Sequence, residues 1–118
     1  MTLLVVDDEW VVRDVIELFI RQIHPDAVII HAEHGAHAWE IMNRPGNEFD
    51  YMFSDVIMPK MDGIKLVQKV RKKYPNIRII LMSGTGEPDG HEAHAFLAKP
   101  FESGKKLVET IKKLMRKQ

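Results

Sequence analysis

The sequence predicts an α/β domain: a single doubly wound (βα)5 unit around a parallel five-stranded sheet of order 2-1-3-4-5. Three observations carry that expectation. Short apolar runs alternate with stretches whose apolar residues recur at the helical period. The runs are nearly continuous, as in strands covered on both faces of a parallel sheet. The residues that end them are acids, a serine and a lysine, which would collect at the carboxyl edge, where open α/β sheets place their ligands.

Leu3 to Val6 reads as the first strand, ended by Asp7-Asp8. A helix follows to about Gln22, with Val12, Val15, Ile16, Phe19, Ile20 and Ile23 at the 3.6-residue period. Pro25 forbids its continuation. Ala27 to His31, rich in β-branched residues, is the second strand. Gly35, Ala38, Trp39 and Met42 form the stripe of a shorter helix that ends near Arg44-Pro45-Gly46. The third strand, Tyr51 to Ser54, closes on Asp55. Asp62-Gly63 opens a third helix with Ile64, Val67 and Val70 inward and Lys65, Lys69 and Lys72 outward, ended near Tyr74-Pro75.

Ile77 to Met82 is a fourth strand closing on Ser83-Gly84, and Phe96 to Ala98 a short fifth strand closing on Lys99-Pro100. The last helix runs from about Ser103 to Met115, with Leu107, Val108, Ile111, Leu114 and Met115 on one face. Lys112, Lys113, Arg116 and Lys117 sit favourably against its dipole. Right-handed crossovers leave few topologies for five such strands. In the expected order the switch point falls between strands one and three, which end in Asp7-Asp8 and Asp55.

One stretch breaks the alternation. Residues 84–95 carry three glycines and a proline and little apolar content, a poor helix. Where a fourth helix would stand, the sequence predicts mostly loop, with at most one helical turn near His91 to Ala95.

The 118 residues are read as one domain, 1–118, large enough to bury roughly 60–70% of its unfolded surface without staples. With 45% apolar and 29% charged residues the composition is that of an ordinary globule. The absence of cysteine excludes disulfides and thiolate metal sites, and a cytoplasmic setting is expected. The apolar start is too short for a signal peptide or a membrane span. Net charge is zero, yet residues 1–63 hold 12 acids and 4 bases and residues 64–118 hold 5 acids and 13 bases. No aromatic residues interleave the lysines, so this asymmetry is read as solvated helix faces and not as a nucleic-acid surface.

Three carboxylates at one sheet edge repel one another and need protonation or a cation. Hard oxygen ligands without cysteine suit Mg2+ or Mn2+. Ser83 and Lys99 end the fourth and fifth strands at the same edge, where a hydroxyl and an ammonium could hold phosphoryl oxygens. A carboxylate oxygen of Asp55 could then attack phosphorus and form an aspartyl phosphate.

The chain resembles the response-regulator receiver domain of two-component signalling over essentially its whole length. The resemblance rests on Asp7-Asp8-Glu9, on Asp55 with Met58-Pro59-x-Met61-Asp62-Gly63, on Ser83-Gly84, and on Phe96-x-x-Lys99-Pro100-Phe101. It implies that Asp55 accepts a phosphoryl group from a phosphohistidine of a sensor histidine kinase or a histidine phosphotransfer protein. It also implies Mg2+ held by Asp8, Asp55 and the backbone carbonyl of Ile57, with Asp7 acting partly through water. Ser83 and Lys99 would contact the phosphoryl oxygens, and Phe96 would turn inward as Ser83 moves. A cis bond at Lys99-Pro100 is common in the family. The implied output is control of an effector domain or protein, with a homodimer as one mode, no membrane insertion and no turnover of an external substrate. Only 16 positions separate Ser83 from Lys99, fewer than usual in the family, and the missing residues are those of the fourth helix.

Two other readings fit parts of the pattern. A pseudo-receiver would use the same fold as a constitutive interaction module. A phosphatase with an aspartyl nucleophile commonly carries a second acid two positions later, where this chain has Ile57. The histidines at 31, 34 and 37, and at 91 and 94, are expected to be surface residues, although histidine titrates near neutrality.

Overall fold

Alternation of side chains across a pleated strand divides the core in two. In the first strand Leu4 and Val6 face one layer while Leu3 and Val5 face the other. The computed structural model describes residues 1–99 and 104–116. Its elements in chain order are β1 (Thr2–Val6), α1 (Trp10–Ile23), β2 (Val28–Ala32), α2 (Gly35–Met42) and β3 (Tyr51–Asp55). They continue as α3 (Gly63–Lys73), β4 (Arg78–Ser83), β5 (Ala95–Ala98) and α4 (Gly104–Arg116). The five strands are parallel and lie in the order β2-β1-β3-β4-β5, as the crossover rule predicts.

On one face, Leu4, Val6, Met52, Ile79 and Leu81 pack under Ala38, Ile41 and Met42 of α2 and Leu66, Val67 and Val70 of α3. On the other, Leu3, Val5, Tyr51, Phe53, Ile80 and Met82 pack under Ile16 and Ile20 of α1 and Leu107 and Ile111 of α4. The helical stripes differ from the sequence expectation in detail. Ile41 and Leu66 are buried, whereas Trp39 is only half-buried, its ring covered by Lys69 and Lys73 with ammonium-to-centroid distances of 4.9 and 5.5 Å. Two ammonium groups thus lie over the indole, a cation–π arrangement. The strands β2 and β4 begin one residue later than expected, and β5 begins one residue earlier.

The segment between β4 and β5 contains no helix, as its glycines predict, and the helical turn allowed near His91 to Ala95 is absent. The segment instead turns at Asp89-Gly90, with Gly90 at φ 67°. The Lys99-Pro100 bond, Phe101, the helix start at Ser103, Lys117, and the side chains of Leu114, Met115 and Arg116 lie outside what is described.

All six histidines are half-buried, not exposed. His94 shows why. Its backbone N–H donates to the Ile79 carbonyl at 2.9 Å, and its ring Nδ1 accepts the Ile79 N–H at 3.0 Å. The imidazole thus completes the hydrogen bonding of β4 where β5 has not yet begun. Its Nε2 lies 2.7 Å from Arg71 Nη1, and burial, followed by the charges of Arg71 and Arg78, lowers its pKa. A base whose folded pKa is lowered contributes stability that is present above its ordinary value near 6.5 and is lost as pH falls through the folded value. The unfolding midpoint in denaturant should therefore fall between about pH 7 and pH 5.5. His94→Asn, which keeps an acceptor for Ile79, should flatten that slope, and an unchanged slope would show that other groups set it.

Candidate functional site

The sheet delivers its polar residues to one edge. Asp7 follows β1, with its N–H donating to the Ala32 carbonyl at 3.2 Å. Asp55 ends β3, Ser83 ends β4, and Lys99 follows β5, pinned by its N–H to the Ser83 carbonyl at 2.8 Å. Asp7, Ser83 and Asp55 are buried, while Asp8 is exposed. Asp8, Asp55, Ile57, Ser83 and Lys99 line one open cleft of about 530 Å3. The Ile57 side chain is largely exposed at its rim.

Each buried polar group is held in place. Asp7 Oδ1 accepts the Glu9 N–H at 2.9 Å, and its Oδ2 accepts from Lys99 Nζ at 2.9 Å. The same ammonium lies 3.4 Å from Asp55 Oδ1, which also accepts the Val56 N–H at 2.9 Å. Lys99 thus bridges two acids from different strands. Burial, and then the charge of Asp7, raise the pKa of Asp55, with Lys99 and the Val56 N–H opposing. Burial alone would lower the pKa of Lys99, but the hydrogen bonds and charges of Asp7 and Asp55 outweigh it and the net shift is upward.

Asp7, Asp8 and Asp55 can each offer one carboxylate oxygen, all within 4.8 Å of one another. Three hard oxygen donors of this kind, with the remaining positions open to water, fit Mg2+. Phe96 is half-buried against the α2 and α3 layer, with its ring centroid 6.3 Å from that of His91. Every predicted site residue therefore falls at the edge expected of it except Phe96, which sits beside the edge in β5.

The sequence reading passed over three supporting contacts. Arg13 Nη1 donates to the Asp7 carbonyl at 2.6 Å and so fixes the acid from α1. An arginine in the first turns of an otherwise apolar stripe was the available signal. Gly63 at the start of α3 lies against Asp55; a Cβ there would sit 2.0 Å from the Asp55 carbonyl oxygen. Between them, Lys60 adopts φ 68° in a tight turn closed by the Met61 N–H on the Pro59 carbonyl at 2.8 Å.

The chain is similar to known proteins. The profile of the response regulator receiver domain matches residues 3–112. The sensor kinase CckA of Brucella abortus is 38% identical over 124 residues, covering 99% of this chain and 13% of that protein. A chemotaxis protein CheY homolog of Campylobacter jejuni is 38% identical over 88 residues, covering 73% of this chain and 66% of that protein. The chain thus spans less than two thirds of the length of either relative. Among solved structures, response regulator TrrA of Thermotoga maritima, in complex with Mg2+-BeF, superposes with a TM-score of 0.81. It is 27% identical, and the match covers 96% of this chain and 97% of that one. No described helix is long and apolar enough to cross a membrane. A profile that spans nearly all of the chain agrees with a sheet whose acids, hydroxyl and lysine meet at one edge: the chain belongs to the response regulator receiver domain family.

Proposed function

We propose that the chain is a phosphoacceptor signalling module in which Asp55 takes a phosphoryl group from a phosphohistidine of a sensor histidine kinase or histidine phosphotransfer protein. The observation that carries this reading is Lys99 Nζ held 2.9 Å from Asp7 and 3.4 Å from Asp55 at the mouth of an open cleft. A carboxylate oxygen of Asp55 forms the new P–O bond while the P–N bond of the donor breaks, and the departing imidazole nitrogen keeps the electron pair. Asp8, Asp55 and the Ile57 carbonyl, with Asp7 acting partly through water, would hold Mg2+, which would supply positive charge for the phosphoryl oxygens. Lys99 balances charge from the other side, and Ser83 donates its hydroxyl to a phosphoryl oxygen. Movement of Ser83, followed by Phe96, then alters the surface that controls an effector domain or protein. The chain turns over no external substrate and catalyses only its own phosphorylation and the later loss of the group.

Intact mass after incubation with acetyl phosphate tests this directly. One phosphoryl group should appear with Mg2+, none without it, and none in Asp55→Asn. A folded, Mg2+-binding protein that gains nothing from acetyl phosphate or from a phosphorylated histidine donor would instead be a constitutive interaction module. A gain that persists in Asp55→Asn would move the acceptor elsewhere.

A further inference from the structure

The hydroxyl of Ser83 is already engaged. Its Oγ accepts the Thr85 N–H at 3.0 Å and lies 2.9 Å from Thr85 Oγ1. The first bond closes a serine turn after β4 and needs only the Thr85 backbone. The second depends on the Thr85 side chain. A serine hydroxyl has one proton to give, and a buried one needs an acceptor. Ser83 is 2% exposed, and Thr85 Oγ1 is the acceptor it meets among the described residues. Thr85 itself is exposed, so its own proton can go to water. Either hydroxyl can donate across this contact, and the burial of Ser83 beside an exposed Thr85 favours Ser83 as the donor.

We infer that Thr85 is a latch: its hydroxyl holds the Ser83 proton while Asp55 is unmodified, and a phosphoryl oxygen on Asp55 displaces it. The inference rests on the receiver reading above and adds a positioning residue to it. Ser83 cannot donate to both acceptors, so the phosphoryl group competes with Thr85 for one proton. The exchange has a direction in the fold. Thr85 is the second residue of the 84–95 segment, so releasing it frees the end of that segment adjoining β4. The change at Asp55 thereby enters the stretch that stands in place of a helix, through a hydrogen bond and without any movement of the sheet.

Calorimetric titration of the folded chain with beryllofluoride at saturating Mg2+ tests the latch. Thr85→Val keeps the branched shape and the backbone N–H but removes the competing acceptor. It should bind beryllofluoride about three- to tenfold more tightly than the wild type, the range expected for one net hydrogen bond. Thr85→Ser, which restores a hydroxyl, should return to within about twofold of the wild type. In a Ser83→Ala background, Thr85→Val should have no effect, because the proton in dispute is gone. A turn-stabilising role alone would lower the melting temperature of Thr85→Val and leave its affinity unchanged. Unchanged or weaker binding by Thr85→Val, beside a wild type that binds, would overturn the latch and leave the receiver reading intact. A folded wild type that binds no beryllofluoride would overturn both.

Discussion

Lys99→Met should cost about 3 kcal/mol of stability at pH 7, because it removes the cation between two acids the fold has buried. The ammonium lies 2.9 Å from Asp7 and 3.4 Å from Asp55, whose side chains are 0% and 9% exposed. The pH dependence identifies the cause. Lys99 has a raised pKa, so its contribution is full below the ordinary lysine value and is lost only as pH rises through the folded one. Asp55 also has a raised pKa, first from burial and then from Asp7. The stability tied to that group is present below the ordinary carboxylate value and is lost as pH rises through the folded one. Burial and Asp7 therefore oppose the Asp55 charge, and Lys99 offsets it.

Without Lys99 the repulsion between Asp7 and Asp55 is left to solvent, and the destabilisation should be greatest near neutrality. It should shrink as pH falls and Asp55 takes a proton. Added Mg2+ should recover part of it at pH 7, since a cation bound only by the folded chain stabilises it by mass action. Denaturant midpoints at pH 7 and pH 4.5, with and without Mg2+, would measure all of this. An equal loss at both pH values would mean that the lysine stem matters for packing and its charge does not. The same variant should take phosphoryl from acetyl phosphate at least ~100-fold more slowly, the usual penalty for removing one group that stabilises developing charge. A rate near that of the wild type would remove Lys99 from the chemistry.

The sheet order and the chemical edge were legible in the sequence because both follow from where apolar runs stop. Asp7, Asp55, Ser83 and Lys99 each end or follow a run, and parallel strands end on the same side, so naming the runs located the site. The missing helix was equally plain, since three glycines and a proline in 84–95 leave no helical stripe. What escaped depended on neighbours distant in sequence. Trp39 was expected in the stripe and does pack against that core layer, but its ring stays half-open beneath two lysines of α3 that no local pattern announces. Histidines 31 and 94 looked like surface residues by type. Yet His31 lies between Arg13 Nε at 3.3 Å and Glu17 Oε1 at 2.7 Å, and His94 caps a strand N–H. Gly63 read with Asp62 as the opening of the third helix, and nothing local in the sequence says that a backbone carbonyl lies against it.

Gly63→Ala should be the most damaging small substitution near the site, and its harm should reach Asp55. α3 starts where it does because Asp62 caps it, its side chain accepting the Lys65 N–H at 2.9 Å. The Gly63 N–H in turn donates to the Val56 carbonyl at 2.7 Å, drawing the helix onto the end of β3. A Cβ on Gly63 would sit 2.0 Å from the Asp55 carbonyl oxygen and 2.9 Å from both the Asp55 carbonyl carbon and Val56 Cα. These are backbone atoms of a buried strand end and cannot rotate aside. Either α3 or the Asp55 backbone must shift, at a cost of about 2–3 kcal/mol for overpacking of this kind. Alanine would otherwise be the better helix former, so the helix itself gives no reason for a loss. If the strand end yields, the Asp55 carboxylate moves relative to Lys99, and a displacement near 1 Å would slow phosphoryl uptake by roughly 100-fold. Gly84→Ala is the matched control. A Cβ there meets nothing nearer than the Lys99 carbonyl oxygen at 3.8 Å, so its denaturant midpoint should stay close to that of the wild type. Denaturant midpoints for both variants, with the acetyl phosphate rate for Gly63→Ala, separate the possibilities. A stable Gly63→Ala that phosphorylates normally would show that α3 can back away from β3 without moving Asp55, and the close approach would then be incidental to the chemistry.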